Sequence, residues 1–124
     1  MLKQRELYAP FTERAVVRPG GEVFLSGDDA QRFVVACESA GLAIAGIEGV
    51  RFEGEKIKPY IDVIADYFPR KVQEWNTYQE QCNRLALDFL HNAVKEKGVD
   101  TCFCFEVLEP AGYADCLKRI AFIR

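Results

Sequence analysis

Apolar residues recur at steps of three and four between residues 75 and 98: Trp75, Tyr78, Cys82, Leu85, Ala86, Phe89, Leu90, Ala93 and Val94. That period predicts one long helix with a single buried face. Glu74, Glu80, Arg84, Asp88, Lys95 and Lys97 fall mostly between them and require water. Thr77 and Glu80 have the spacing of a capping box, which places Trp75 just ahead of the first turn. Lys95 and Lys97 suit the negative end of the helix dipole, and Gly98 ends the helix. Such a helix needs a sheet to lie on, and Phe89 is expected to be buried between the two.

The rest of the chain supplies that sheet. Residues 1–14 are mixed, with Leu2, Leu7, Tyr8 and Phe11 as anchors of a short helix or arm that Pro10 interrupts. Ala15-Val16-Val17 reads as a short strand and Pro19-Gly20-Gly21 as a turn. Glu22–Leu25 leads into Ser26, an N-cap with Asp29 three residues on. The helix that follows buries Ala30, Phe33, Val34, Cys37 and Ala40 and stops at Gly41. Leu42–Ile47 is a short apolar strand. Val50–Phe52 and Lys56–Lys58 alternate around Glu53-Gly54-Glu55, a hairpin signal. Pro59 is expected to end the second arm. Ile61, Val63, Ile64, Tyr67 and Phe68 continue as a short helix or a further edge strand. Thr101–Val107 is a strand with Thr101, Phe103, Phe105 and Val107 on one face and Cys102, Cys104 and Glu106 on the other. Tyr113–Ile123 is either a terminal amphipathic helix or a turn of helix followed by a last strand, Ile120–Ile123. The order predicts a single α+β domain, with helices packed on one face of a mixed or antiparallel sheet.

At 124 residues and 49% hydrophobic content the chain can build one full core, which sets disorder aside. No run approaches the ~20 apolar residues of a membrane span, and the residues after Met1 lack the apolar core of a signal peptide. A cytoplasmic location is expected. Five cysteines, Cys37, Cys82, Cys102, Cys104 and Cys116, make an odd count. In a reducing compartment they are expected to be free thiols.

Charge changes the picture more. Residues 22–66 hold nine acids against four bases, a balance of −5, while the remaining residues carry +2 in a chain of net charge −3. The overall sign argues against general nucleic-acid binding. The acidic middle third suits capture of a basic protein partner.

Catalytic or metal chemistry finds little footing. His91 is the only histidine. Cys102-Phe103-Cys104 has no second knuckle for zinc, so no metal and no cofactor are expected. Asp62 and Asp66, four apart, could do acid–base work, but no nucleophile or phosphate loop accompanies them.

The stretch Leu25–Leu90 resembles immunity protein family forty of bacterial polymorphic-toxin systems. Three pieces carry the resemblance in order: Leu25-Ser26-Gly27-Asp28-Asp29-Ala30; Gly41–Gly46 followed by Val50 and Gly54-Glu55-Lys56-Ile57; and Trp75-Asn76-Thr77-Tyr78. The family tends to carry a second glycine and an acid after Gly46, where this chain has Ile47 and Glu48, and a Trp-containing polar stretch in place of Ile61–Phe68. The resemblance implies a protein that binds one cognate toxin and blocks it, without cofactor or turnover. The partner surface is then expected at Glu48, Arg51, Phe52, Glu53, Glu55, Tyr60, Asp62 and Asp66, with Arg51, Phe52 and Tyr60 as anchors. Neither nucleic acid nor membrane is expected as a partner, and the oligomeric state is open. Two other readings stand beside it: a regulatory or oligomerising module pairing through Thr101–Val107, and a small hydrolase or transferase using Asp62, Asp66 and His91.

Overall fold

The computed structural model describes residues 6–123, and side chains as far as residue 120; Leu2 lies outside the described residues. A 3-10 turn, Ala9–Phe11, is followed by strands β1 (Val16–Val17) and β2 (Val23–Ser26) and helix α1 (Gly27–Ser39). Then come β3 (Ala43–Glu53), β4 (Lys56–Asp66), the long helix α2 (Trp75–Lys97), β5 (Cys102–Leu108) and α3 (Pro110–Ile123). The five strands form one antiparallel sheet in the order β1-β2-β5-β3-β4. Helices pack on the face that carries Leu25, Ile47, Val63, Phe103 and Phe105, where Phe33, Val34, Ala86 and Leu90 complete the core. No helix among the described residues is long and apolar enough to cross a membrane.

Helix α1 starts and stops as its sequence dictates. The Ser26 hydroxyl accepts the Asp29 amide at 3.4 Å. At the other end the Leu42 and Gly41 amides donate to the carbonyls of Cys37 and Glu38, at 2.9 and 3.2 Å. Gly41 takes a φ of 77° to allow this, a backbone position that glycine occupies without strain. Asp29 does not reach back to the cap. Its buried carboxylate instead accepts Arg14 Nε at 2.8 Å and Arg32 at 3.2 Å, which ties the N-terminal segment onto α1.

Helix α2 corrects three expectations. It begins at Trp75, with Glu74 as an N-cap whose side chain makes no cap hydrogen bond, so the Thr77–Glu80 box does not form. Aromatic packing sets the start: Trp75 lies 5.4 Å from Tyr113, which stacks on Tyr78 at 4.6 Å. The Tyr113 hydroxyl holds the incoming chain, accepting the Gln73 amide at 3.3 Å and donating to the Gln73 carbonyl. Phe89 is half-buried, and Leu85 is 46% exposed. The face turned inward is Tyr78, Cys82, Ala86, Leu90 and Ala93, together with Gln79 and Asn83. Those two amides face inward because they bond backbone. Asn83 Oδ1 accepts the Ile44 amide at 2.9 Å, and Nδ2 donates to the Leu42 carbonyl at 3.0 Å and to the Glu38 carboxylate. Gln79 donates to the carbonyls of Glu38 and Leu42. Gly98 closes the helix with a φ of 102°.

The hairpin forms at Gly54, but its second arm does not end at Pro59. Strand β4 runs through Pro59, which lies opposite Val50, and on to Asp66, opposite Gly46. The segment Ile61–Phe68 is thus mostly edge strand, and Asp62 and Asp66 lie on a strand rather than a helix. An edge strand tolerates proline because the outer side needs no donor. The register shifts between Glu48 and Val50, opposite residues 59–64. Gly49 lies at this bulge, facing Val63. The C-terminal segment is a helix, α3, without a sixth strand.

Candidate functional site

The face of the sheet turned away from the core gathers four acids, of which, among the described residues, Asp66 alone has a basic partner, Arg70. In the register, Glu48 lies opposite both Cys104 and Ile64, while Gly46 lies opposite both Glu106 and Asp66. Opposite residues share a sheet face. Phe105 and Ile47 point into the core, so these alternate residues point away from it. The result is a cleft of about 420 Å³ lined by Glu22, Glu48, Asp66 and Glu106 around Cys104, with Ile64 and Phe68 at one side. Gly46 forms its floor between Glu106 and Asp66. All four acids are exposed, Ile64 is 59% exposed, and no lysine or arginine lines the cleft.

The thiol at the centre registers those charges. Burial pushes Cys104 up to about 11, and Glu22 and Glu48, then Glu106, add to the shift against a backbone hydrogen bond that lowers it. A thiolate is the reactive form, so this cysteine is a poor nucleophile in the fold. All five cysteines are free. Among the described residues no group of three His, Cys, Asp or Glu side chains is placed to hold a metal ion.

The eight residues expected at a partner surface fall into three places. Glu48 and Asp66 line the cleft. The Asp66 carboxylate also accepts the Phe68 amide at 3.0 Å and Arg70 at 3.2 Å. Arg51, Phe52, Glu53 and Glu55 lie at the hairpin tip, where charge is balanced. Arg51 is paired with Glu53, Glu53 lies opposite Lys56, and the Glu55 carbonyl accepts Arg18 at 3.1 Å. Phe52 is half-buried and meets Phe24 edge to face at 5.4 Å. Tyr60 and Asp62 turn to the C-terminal end of α2. Lys97 lies over the Tyr60 ring at 5.2 Å and bonds Asp62 at 2.8 Å. That pairing, chiefly the hydrogen bond from Lys97, holds the Asp62 carboxyl below its ordinary value.

The trio Asp62, Asp66 and His91 is not assembled at the cleft, which takes Asp66 alone. Asp62 is held by Lys97, and His91 is exposed on α2. Two cleft residues were missed by the sequence reading of the surface. Glu106 shares the polar face of its strand with Cys104, and that alternation is visible in the sequence. Its position beside Gly46 and across from Asp66 depends on strand order, which local periodicity does not contain. Glu22 belongs to the acidic middle third, but only the β1–β2 turn brings it to the same cleft. No protein-family model matches the chain, and no curated protein matches it.

Proposed function

We propose that this protein is a non-enzymatic binding protein that neutralises a cognate bacterial toxin domain, acting in the cytoplasm, by covering a basic surface with the helix-free face of its sheet. The observation that carries this reading is the cleft of four exposed acids, of which, among the described residues, only Asp66 has a basic partner, Arg70. A single-signed concavity focuses the field and raises the rate of capture of an oppositely charged partner. Ile64 and Phe68 at its side supply apolar surface that only a partner would cover. The resemblance of Leu25–Leu90 to the immunity proteins supplies the class of partner. Toxin domains that act on nucleic acid need basic clefts, and an acidic face is complementary to them.

The test is co-expression with the protein encoded immediately upstream of this gene. The upstream product is expected to arrest growth alone and to be harmless beside the wild-type chain. Glu48→Lys with Glu106→Lys is expected to abolish protection while circular dichroism shows a folded protein. A harmless upstream product, or full protection by the charge-reversed variant, would sink the proposal.

A further inference from the structure

We propose that the gap between β2 and β5 takes an added β-strand: an extended segment of the partner that alternates basic and apolar residues. This rests on the reading of the acidic face as a partner surface and specifies how that surface is used. Strand β2 pairs with β5 only at Leu25↔Phe103 and Ser26↔Cys102. At Phe24 and Val23 it pairs with β1 across its other edge, and the ladder to β5 does not continue. Strand β3 stays paired with the other side of β5 as far as Leu108. Cys104–Leu108 therefore has a ladder on one side and, among the described residues, no strand on the other. Five residues at ~3.4 Å each make an edge ~17 Å long, and its Cys104–Glu106 part lines the groove and the acidic cleft.

Among the described residues the gap is open beside Cys104 and Phe105. A groove of about 580 Å³ lies there, lined by Tyr8, Val17, Val23 and Phe105 among others, and it meets the acidic cleft at Glu22, Cys104 and Phe105. Exposed strand edges invite pairing unless lysine, proline or a bulge guards them. The outer strand β4 has all three, in Lys56, Lys58, Pro59 and its bulge. The free part of β5 has neither lysine nor proline, its only charge is Glu106, and the register shift in its ladder lies on β3, between Ile44 and Gly46.

The two faces of the gap define the occupant. Side chains of an added strand alternate between faces. Those on the cleft side come beside Glu22 and Glu106 and are best basic. Those on the other side meet Tyr8, Val17 and Phe105 and are best apolar.

The probes are capped eight-residue peptides: alternating Lys and Val, alternating Glu and Val, and two Lys-Val versions N-methylated at every Lys or at every Val. Binding is measured by calorimetry, and amide hydrogen exchange is followed on β5. The Lys-Val peptide should bind and slow exchange at Cys104–Leu108, and the Glu-Val peptide should not bind. At least one N-methylated version should lose affinity about tenfold or more, the scale of one or more lost hydrogen bonds. Failure of the Lys-Val peptide to bind overturns strand addition. So does an affinity of both N-methylated versions equal to that of the unmethylated peptide, even if Glu48→Lys with Glu106→Lys abolishes binding. That last pattern leaves the acidic face standing as a partner surface, whose own failure is read from the growth experiment.

Discussion

Replacing Asn83 by alanine removes a side chain that joins α1, α2 and β3. Asn83 is 3% exposed, and its acceptor Oδ1 takes the Ile44 amide at 2.9 Å in a place where Ile44 is fully buried. Without it the buried amide loses this acceptor, at a cost of ~1–3 kcal/mol. The Leu42 carbonyl loses one donor but keeps Gln79 at 3.1 Å. The Glu38 carboxylate loses its bond from Nδ2 and returns to water, since Glu38 is exposed; that adds little. Asn83→Ala should therefore lower stability by ~2–3 kcal/mol in urea denaturation, most of it from that lost acceptor. Asn83→Asp keeps the acceptor but sets a carboxylate against the Glu38 carboxylate and the Leu42 carbonyl, and should destabilise at least as much. Gln79→Ala alone should cost about 1 kcal/mol, because the Leu42 carbonyl keeps Asn83. The double variant should lose more than the two singles together, because the shared carbonyl is then bare. An Asn83→Ala midpoint indistinguishable from wild type, or strict additivity with Gln79→Ala, would refute the reasoning.

Three further outcomes are expected. Gly49→Ala would bring a Cβ to 2.3 Å from Val63 Cγ1 and 2.9 Å from its Cβ, so it should cost ~1–3 kcal/mol by overpacking, and Val63→Ala in the same chain should recover part of the lost midpoint. The hydrogen bonds from Arg14, then Arg32, outweigh burial and hold the Asp29 carboxyl below its ordinary 3.8. Its contribution is therefore complete above that value and lost as pH falls through the lowered one. Asp29→Asn should destabilise near neutral pH, and its deficit in urea midpoint should shrink below pH ~4. Cys104, at about 11 against an ordinary thiol's 9.0, should alkylate ~100-fold more slowly than a free thiol of that ordinary value, in proportion to its thiolate fraction. Glu48→Gln removes a nearby negative charge and should speed that reaction, as read by mass spectrometry; an unchanged rate would mean that Glu48 does not face the thiol.

What was legible in the chain was local. Ser26 and Gly41 bound α1, Gly54 turns the hairpin, and the alternation of Thr101–Val107 sorts Phe103 and Phe105 from Cys104 and Glu106. Each of those signals is complete within about ten residues. Strand β4 was legible only in part, as the arm Lys56–Lys58 and as one of two readings of Ile61–Phe68, because Pro59 and the bulge beside it break the period of two that identifies a strand. The start of α2 was misplaced because contacts with Tyr113, distant in sequence, decide it. Nothing in the period of α2 singles out Gln79 and Asn83, because their partners at Glu38, Leu42 and Ile44 are supplied only when α1 and β3 come alongside. The cleft is of the same kind. Glu48 and Asp66 stood out by their charge, but their companions Glu22 and Glu106 arrive through strand order. Tyr60 and Asp62, adjacent in sequence to the acidic hairpin, are turned to Lys97.

The most direct measurement of the central claim is the association rate with the upstream-encoded toxin domain, by stopped flow at low and high salt. Three proteins are compared: wild type, Glu48→Lys with Glu106→Lys at the cleft, and Glu53→Lys with Glu55→Lys at the charge-balanced hairpin tip. All should remain folded by circular dichroism, since exposed substitutions usually change stability by only ~0.5 kcal/mol. The cleft pair should slow capture roughly tenfold or more at low salt, and the difference should fade as salt screens the field. The tip pair should slow it less. Equal association rates for wild type and the cleft pair at both salts would contradict the claim that the helix-free face captures a basic partner.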